Sequence, residues 1–557
     1  MMEKLKTGII LDDFLIEAWK YGILHEICTS DYAHISLVLM NICKNENINK
    51  LKNRNDSFLI SLLQKLTNQS LKKFKPYNSI IDSYNLLKEV PIVIINKTVE
   101  RKEGHLCDSD LLELQKVKPD IIINLGIDDI LKDYSNLSKY GVWSIETDNR
   151  LINNEITSSY WKLFNNSPVI GSNLEVHHSA GEGKKIISSS YESVLPFSQE
   201  TNRNVIFWRA SLFIPRVMEG IYKNGEDYLS CLFARFERNR SDDESFLPFN
   251  QASYRGLRNF LSFITILSRQ IGKKVLHGNE EDWKLLFSVN DNDIITSSFR
   301  QFKELPSPKN IFWADPFVIS HNDRFYVFVE EIITNIEKAH ITVLELGRNG
   351  NLLSSKKIIE RPYHMSYPFV FEFNNTYYMI PETSENRTID LYKCTSFPYE
   401  WEFDRTIMDN VNAVDATVFH YSGKWWLFTS IDKTDSVSGY NTELFLFFST
   451  DFFSGKWESH PLNPIISDVR TARPAGKIFI QEGKIYRPSQ DCSGRYGKAF
   501  NINQILTLTE TDYEEVQVRK VEPNWNRNLK GTHTFNSAGG LTIIDAYTYR
   551  RRVLSSH

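Results

Sequence analysis

The sequence predicts an α/β domain with a largely parallel sheet, a helical connector and a five-bladed β-propeller. In the first ~200 residues, continuous apolar runs alternate with helical patterns, and residues ~200–275 then show helical spacing. From residue ~280 onward, short aromatic runs recur about every 50 residues. We therefore expect domains at 1–220, 221–279 and 280–557, because 557 residues exceed what one core usually holds.

The first domain is predicted from runs that are apolar on both faces. These runs are "TGIILDD", "HISLVLMNI", "VPIVIINK" and "PDIIINLG". Such runs are typical of strands buried inside a parallel sheet, and the intervening "FLIEAWKYGILHEIC" has the spacing of a helix. Two amphipathic stretches, "NVIFWRASLFIPRVMEGIYKNG" and "SYRGLRNFLSFITILSRQIGKKV", predict the connector helices.

The last domain is predicted from an internal repeat. "DPFVISHNDRFYVFVEE" begins at Asp315, "YPFVFEFNNTYYMIPET" 52 residues later at Tyr367, and "DATVFHYSGKWWLFTS" a further 48 on at Asp415. Each copy contains an apolar strand, a polar turn and an aromatic pair. A fourth copy from Arg473 carries about one extra residue near its start, and a weaker fifth begins at Thr532. Units of this size cannot bury their own faces, so we expect them to stack radially as five blades.

The repeat predicts a polar site, because equivalent positions of the innermost strands converge on the axis of a propeller. Blade-opening positions hold Asp315, Tyr367, Asp415, Arg473 and His533. Positions fifteen or sixteen residues later hold Glu330, Glu331, Glu382, Gln490 and Asp491. The alternative is that these acids only cap turns and brace the blades through backbone N–H groups.

Composition excludes several classes of function. A net charge of −4 gives no general attraction to nucleic acid. The six cysteines form no CxxC pair, so we expect reduced thiols. No signal peptide and no apolar run of about 18 residues is found, which predicts a cytoplasmic protein without an integral membrane segment.

The propeller repeat resembles two families. Its Asp-Pro opening and five-blade pattern are similar to glycoside hydrolases of the invertase and arabinanase type. The segments "FWADPF", "YPFVFE", "IPET", "DATVF", "ARPAG", "RPSQD" and "THTFN" also resemble the N-terminal propeller domain of plant glucosamine inositolphosphorylceramide transferases. In those plant proteins transfer is assigned to a separate glycosyltransferase domain, so the resemblance implies a fold and a glycan context.

The resemblance to glycoside hydrolases implies roles for the repeated polar residues. Asp315 would be the base or nucleophile, Glu382 or Glu331 the acid, and Asp415 would tune the pKa values of its neighbours. Arg473 would bind a substrate carboxylate or phosphate. The remaining predicted substrate-binding residues are Glu330, Tyr367, Gln490, Asp491 and His533. We assign no metal ligand, although arabinanase-type propellers make a bound Ca²⁺ beside His533 possible.

The first domain resembles the formyltransferase fold through "KPDIIINLG", "KYGVWSIETDNR" and "SPVIGSNLEVHHSAGEGKKII". The catalytic Asn-x-His of that family falls on Ser144 and Glu146, and its Asp falls on Gly181. The catalytic identities are therefore lost. Ser144, Glu146 and Asp148 remain the candidate residues of this N-terminal cleft.

Three functions follow as hypotheses. The first is a carbohydrate-active enzyme of glycoconjugate, surface-polysaccharide or glycosylated-metabolite biosynthesis, acting on a sugar, nucleotide sugar or glycoconjugate. The second is a scaffold that binds glycans or nucleotide sugars without catalysis. The third is formyl or acyl transfer to an amino sugar by the first domain.

Overall fold

The computed structural model describes residues 3–41, 76–95, 116–126, 137–147, 151–152, 156–157, 168–177, 184–194, 199–239, 279–290, 298–334, 336, 338–433 and 439–551. These residues fall into two compact units, one up to Asn239 and the other from Asn279. Among the described helices, none is both long enough and apolar enough to cross a membrane.

The first unit is built on a seven-stranded sheet. Its strands, including the pairs β2–β4 and β8–β9 outside that sheet, are β1 (Leu5–Leu11), β2 (Leu15–Glu17), β3 (Ala33–Asn41), β4 (Ile80–Asp82), β5 (Ile92–Ile95), β6 (Ile121–Asn124), β7 (Val142–Thr147), β8 (Leu151–Ile152), β9 (Ile156–Thr157), β10 (Val169–His177) and β11 (Lys184–Ser193). The sheet order is β11-β10-β7-β6-β1-β3-β5. The five strands from β7 to β5 are parallel, and β10 and β11 extend the sheet antiparallel. The predicted, largely parallel sheet is confirmed.

Helices accompany this sheet. They are α1 (Ala18–Thr29), α2 (Tyr84–Leu87), α3 (Gln199–Ala210), α4 (Phe213–Asn224) and α5 (Glu226–Asn239). Ile206 of α3 packs on Ile170 and Val194 of the sheet. The expected boundary at residue 220 falls inside α4, and α5 also belongs to the first unit. The second predicted connector helix, at 253–275, lies outside the described residues.

The second unit is a ring of five antiparallel sheets. Its strands are β12 (Asn279–Val289), β13 (Lys303–Leu305), β14 (Ile311–His321), β15 (Arg324–Ile333), β16 (His340–Leu346), β17 (Leu352–Ile359), β18 (Ser366–Phe373), β19 (Thr376–Thr383), β20 (Thr388–Ser396), β21 (Glu400–Met408), β22 (Ala413–Tyr421), β23 (Lys424–Ile431), β24 (Glu443–Ser449), β25 (Glu458–Ser459), β26 (Ile466–Ser467), β27 (Phe479–Gln481), β28 (Lys484–Asp491), β29 (Ala499–Leu508), β30 (Tyr513–Val521), β31 (Phe535–Ala538) and β32 (Leu541–Arg551). Short 3₁₀ turns span Phe299–Gln301, Ser384–Asn386, Gly439–Asn441 and Phe452–Ser454.

Four blades follow the chain in order: β14–β17 form blade 1, β18–β21 blade 2, β22–β25 blade 3 and β27–β30 blade 4. Blade 5 has the order β13-β12-β32-β31, so it combines the start and the end of this unit. The β12–β32 ladder runs from the pair Asn279–Arg551 to Val289–Leu541 and closes the ring. The five-bladed propeller predicted by the repeat is confirmed.

All five inner hairpins use the same tight turn. Both turn residues have positive φ in each blade, at Asn322-Asp323, Asn374-Asn375, Ser422-Gly423, Glu482-Gly483 and Gly539-Gly540. Two successive residues with positive φ define a type I′ turn, whose twist matches that of the flanking strands. Asn, Asp and Gly tolerate this conformation, which explains why the polar turns recur in the repeat.

A second backbone feature recurs where the first three blades open. Asp315, Tyr367 and Asp415 have φ values of 49°, 42° and 54°, and each sits at a bulge in its hairpin. Non-glycine residues rarely adopt this conformation, which costs on the order of 1–3 kcal/mol and often marks a functional position. In the fourth copy the bulge is longer. From Pro474 to Phe479 the chain advances five residues, whereas the part of β28 that pairs with it advances only three.

The repeated aromatic pairs pack between blades. Trp425 of blade 3 contacts Phe371 and Phe373 of blade 2, and both Trp425 and Trp426 are buried. Burial of both indoles leaves neither free to stack on a sugar ring. Trp425 helps to hold blades 2 and 3 together, whereas the Trp426 ring contacts Phe448 of its own blade.

Candidate functional site

Asp315 is the point at which blades 1, 2 and 5 meet. The Thr534 hydroxyl donates to Oδ1 of Asp315 at 2.6 Å, and the backbone N–H of Tyr367 donates to Oδ2 at 3.3 Å. Nε2 of His533 lies 3.4 Å from Oδ1. The left-handed backbone at Asp315 therefore places this carboxylate among groups of two other blades, where it is 4% exposed.

Asp415 is the corresponding carboxylate between blades 3 and 4. Arg473 donates to it through Nε at 2.6 Å and Nη2 at 3.4 Å, and the Gln490 amide donates to Oδ2 at 3.1 Å. Arg473 also donates to Asn441 at 3.0 Å and lies 3.8 Å from Glu382 of blade 2. The guanidinium is thus paired with Asp415, and its binding of a substrate carboxylate or phosphate stays a prediction.

Asp545 is a buried carboxylate that the sequence did not single out. Its Oδ1 accepts the backbone N–H groups of His533 (2.9 Å) and Thr534 (3.0 Å), and its Oδ2 accepts that of Asp315 (3.1 Å). Nδ1 of His533 lies 2.7 Å from Oδ2, close enough for an ion pair but without hydrogen-bond alignment. Asp545 therefore braces two blades and supplies negative charge to His533. We call Asp315, Asp415, Arg473, His533 and Asp545 the axial cluster.

Burial and neighbouring charges shift the pKa values of this cluster. Burial raises the pKa of Asp315 to about 7; His533 opposes this rise, and the charges of Glu330 and Asp415 add to it. Burial likewise raises the pKa of Asp415 to about 6, against the effect of Arg473. For His533, burial is outweighed by the two carboxylates beside it, which raise its pKa to about 9.

The raised pKa values of His533 and Asp315 make the stability of the propeller depend on pH. His533 gains a charged partner on folding, so the stabilisation it provides is complete below about 6.5 and is lost as the pH rises through about 9. Asp315 has a raised pKa, so folding favours its protonated form. The stability that this form contributes is lost as the pH rises from about 4 to about 7. Around pH 7 the cluster therefore combines an imidazolium with a carboxyl that readily exchanges its proton.

Two further predicted acids lie at the edge of the cluster. The Glu330 carboxylate lies 3.1 Å from Nε2 of His364, and Glu382 accepts from the Ser384 hydroxyl at 2.8 Å. Glu330 faces Ala314 in the hairpin of blade 1, and Glu382 faces Ser366 in blade 2, one residue before each bulge. The two glutamates therefore occupy equivalent places, as the repeat predicted.

Three predicted residues have contacts that turn them away from a substrate. Glu331 binds Trp313 (2.8 Å) and His340 (3.1 Å), and these bonds outweigh burial and lower its pKa. The Asp491 carboxylate lies 2.8 Å from Lys520 and 3.4 Å from Lys498 rather than beside Asp415. Because adjacent strand residues face opposite sides, Glu331 and Asp491 cannot share the direction of Glu330 and Gln490. Tyr367 is fully buried, and its hydroxyl is hydrogen-bonded to Thr417 inside the ring of blades.

Three residues of the axial cluster are close enough together to be tested as a metal site. Ligand atoms of Asp315, His533 and Asp545 lie within 4.8 Å of one another. Asp315 and Asp545 would offer Ca²⁺ two carboxylate ligands and His533 one imidazole nitrogen, so the rest of its six to eight ligands would have to come from water or a substrate. A Ca²⁺ ion in the propeller channel stays a prediction, and no step is assigned to a metal.

The N-terminal cleft shows a different polar group. The Ser144 hydroxyl lies 3.3 Å from Nε2 of His177, and Lys184 lies 3.6 Å from Glu146 and 3.1 Å from Glu175. Burial and Lys184 lower the pKa of His177 to about 4, so this imidazole is neutral at pH 7. Asp148 and Gly181 lie outside the described residues, and a catalytic role for this cleft stays a prediction.

Comparison with known proteins gives one family match and related plant sequences over the propeller. The family described as "Glucosamine inositolphosphorylceramide transferase 1, N-terminal" matches residues 286–543. Glucosamine inositolphosphorylceramide transferase 1 of Oryza sativa subsp. japonica is 34% identical over 247 residues, which is 43% of this chain and 32% of that protein. The chain therefore spans about a third of the length of this relative.

Solved structures give fainter likenesses. The family 117 glycoside hydrolase Zg3597 of Zobellia galactanivorans aligns at 12% identity and a TM-score of 0.33, over 50% of this chain and 92% of that one. A phosphoribosylglycinamide formyltransferase of Anaplasma phagocytophilum aligns at 11% identity and a TM-score of 0.27, over 40% and 89%. At these scores the five described sheets, rather than the likenesses, establish the propeller, and its sequence is similar to the N-terminal domain of the plant transferases.

Proposed function

We propose that the propeller carries a carbohydrate-active site that makes or breaks a glycosidic bond of a glycoconjugate, within cytoplasmic assembly of surface polysaccharides or glycosylated metabolites. The observation that carries the proposal is Asp315, a carboxyl with a pKa of about 7, beside protonated His533 and near Glu330. Acid–base chemistry on a sugar needs such a proton-exchanging carboxyl together with a second one. The name of the plant relative suggests glucosamine-containing glycoconjugates as the first substrates to test.

The geometry divides the roles among the carboxylates. A nucleophile must be ionised, whereas a pKa near 7 suits a group that takes up a proton at neutral pH, so we assign Asp315 as the general base. Glu382 is the proposed general acid, since the oxygens of Glu331 are bonded to Trp313 and His340. Asp415 acts through its charge, which raises the pKa of Asp315, while Arg473 neutralises part of it.

A binding scaffold remains the second candidate function, because the hydrogen bonds around Asp315 and Asp545 also brace the blades. Such a scaffold would take sugars or nucleotide sugars without turnover. An assay distinguishes the two functions, because only an enzyme releases a product. If a general acid takes part, the effect of removing it also depends on how readily the leaving group departs.

Product formation tests the proposal. The protein is incubated with UDP-N-acetylglucosamine, with nitrophenyl and methyl glycosides of glucosamine, and with arabinosides and xylosides, and products are identified by mass spectrometry. We expect Glu382→Gln to slow the reaction of a methyl glycoside by about 10²-fold or more. The loss should be much smaller for a nitrophenyl glycoside, because nitrophenol leaves without help from an acid.

Glu331→Gln is the matched control for this experiment. It removes a buried carboxylate at the residue after Glu330, the blade 1 counterpart of Glu382, and should lower stability without changing the dependence on the leaving group. If Glu382→Gln slowed the methyl and nitrophenyl glycosides equally, Glu382 would not be the general acid. Sugar binding without product in the wild-type protein would instead favour the scaffold.

A further inference from the structure

Two side chains close the centre of the propeller directly beside the axial cluster. The Tyr367 hydroxyl from blade 2 lies 2.9 Å from Oγ1 of Thr417 in blade 3 and accepts the backbone N–H of Gly476 in blade 4 at 2.8 Å. Its own backbone N–H donates to Asp315. A phenol that crosses the axis in this way fills the space through which a channel would continue.

Asn536 of blade 5 completes this floor. Its Nδ2 donates to the carbonyl of Pro316 in blade 1 at 2.7 Å, and its Oδ1 accepts the N–H of Lys477 in blade 4 at 2.9 Å. Tyr367 and Asn536 together join all five blades and are both buried. The polar site therefore has a closed inner end.

Exposure increases from this floor toward Tyr496. Tyr496 lies in the connection from β28 to β29 and is 40% exposed, whereas His533 and Arg473, which its ring contacts, are buried or nearly so. Its ring centroid is 4.9 Å from the Arg473 guanidinium and 5.2 Å from the His533 ring, which it meets edge-on. Cation–π and aromatic contacts of this kind fix the orientation of a ring.

The backbone next to Tyr496 is adapted to this placement. Gly497 has a φ of +62°, and a Cβ at this position would lie 3.0 Å from the Trp283 ring, which itself packs against the His533 ring at a centroid distance of 4.4 Å. Glycine therefore allows the connection to close over the cluster. The result is an exposed aromatic ring held at the outer limit of a group of buried carboxylates.

We propose that this site is a blind pocket that receives one terminal sugar ring stacked on Tyr496, so that the propeller acts at chain ends and not on internal linkages. The proposal rests on the proposed function and names its substrate class. The apolar C–H face of a pyranose packs on an aromatic ring, and Tyr496 lies against Arg473, which pairs with Asp415 and lies 3.8 Å from Glu382. A chain that continued in both directions would collide with the floor formed by Tyr367 and Asn536.

Saturation-transfer NMR with two trisaccharides tests the proposal, using the trimers of N-acetylglucosamine and of glucosamine with the full-length protein. We expect saturation concentrated on one terminal ring and weak on the middle ring. Tyr496→Ala should weaken binding about tenfold, and Tyr496→Phe should retain it. Tyr549→Ala is the control, because Tyr549 is a comparably exposed tyrosine near the end of β32 whose ring contacts Tyr547.

The outcomes separate the two levels of the proposal. Uniform saturation of all three rings that is unaffected by Tyr496→Ala would overturn the blind pocket while leaving a carbohydrate site in place. Absence of saturation with both trimers would contradict the proposed function for amino sugars, and the pocket with it. Equal losses in Tyr496→Ala and Tyr549→Ala would overturn the role of Tyr496.

Discussion

Asp315→Asn should lower the rate of the propeller reaction by about 10²–10⁴-fold, which is the usual contribution of a general base. Asparagine keeps the size of the side chain and an acceptor for Thr534, but it cannot take up a proton. The base must be ionised, so the wild-type kcat/KM should fall as the pH drops below about 7. Substrate affinity should change little, which separates lost chemistry from lost binding.

Asp323→Asn is the matched control, because Asp323 lies in the exposed turn of the same hairpin and pairs only at the surface with Arg348. It should leave the rate within about twofold, as expected for a solvated ion pair. If Asp315→Asn retained the rate of this control, Asp315 would be only a brace between blades. The carbohydrate-active site would then have to be sought elsewhere.

Asp545→Ala should destabilise the propeller by about 3–5 kcal/mol, the range found when one partner of a buried ion pair is removed. The change leaves three buried backbone N–H groups without their acceptor and strands the charge of His533. The free energy of unfolding is measured by denaturant titration at pH 7. Asp545→Asn should be milder, since its carbonyl oxygen still accepts N–H groups.

Asp409→Ala serves as the stability control, because Asp409 is an exposed residue in the connection between blades 2 and 3. Its effect should stay within about 0.5 kcal/mol. A loss in Asp545→Ala as small as this would mean that the hydrogen bonds of Asp545 contribute little to joining blades 1 and 5. The geometry of the axial cluster would then need another cause.

The propeller was predictable because its hairpins repeat a backbone requirement. A type I′ turn demands residues that tolerate positive φ, and a strand on the axis demands alternating apolar residues, so the same letters recur. Blade 5 was predicted only in part. β12 belongs to it by pairing with β32, a contact between distant segments that leaves no periodic pattern, and β13 joins the blade by pairing with β12.

Within the site, position was predictable and direction was not. The spacing placed Asp315, Asp415, Arg473 and His533 at blade openings, and the structure brings these side chains together. The pairing of Arg473 with Asp415 depends on two blades and could not follow from either one alone. Asp545 could have been noticed as a lone carboxylate within the apolar run "LTIIDAY", whereas Tyr496 stands in a connection without repeated spacing.

The ionisation of His533 tests the central claim most directly, since it depends on blades 1 and 5 bringing Asp315 and Asp545 to one buried imidazole. Histidine is labelled with ¹⁵N, and the signal of His533 is assigned by its loss in His533→Gln. The account predicts an imidazolium at pH 8 that titrates near 9. A neutral imidazole at pH 8 that titrates at about 6.5, as an isolated histidine does, would contradict it.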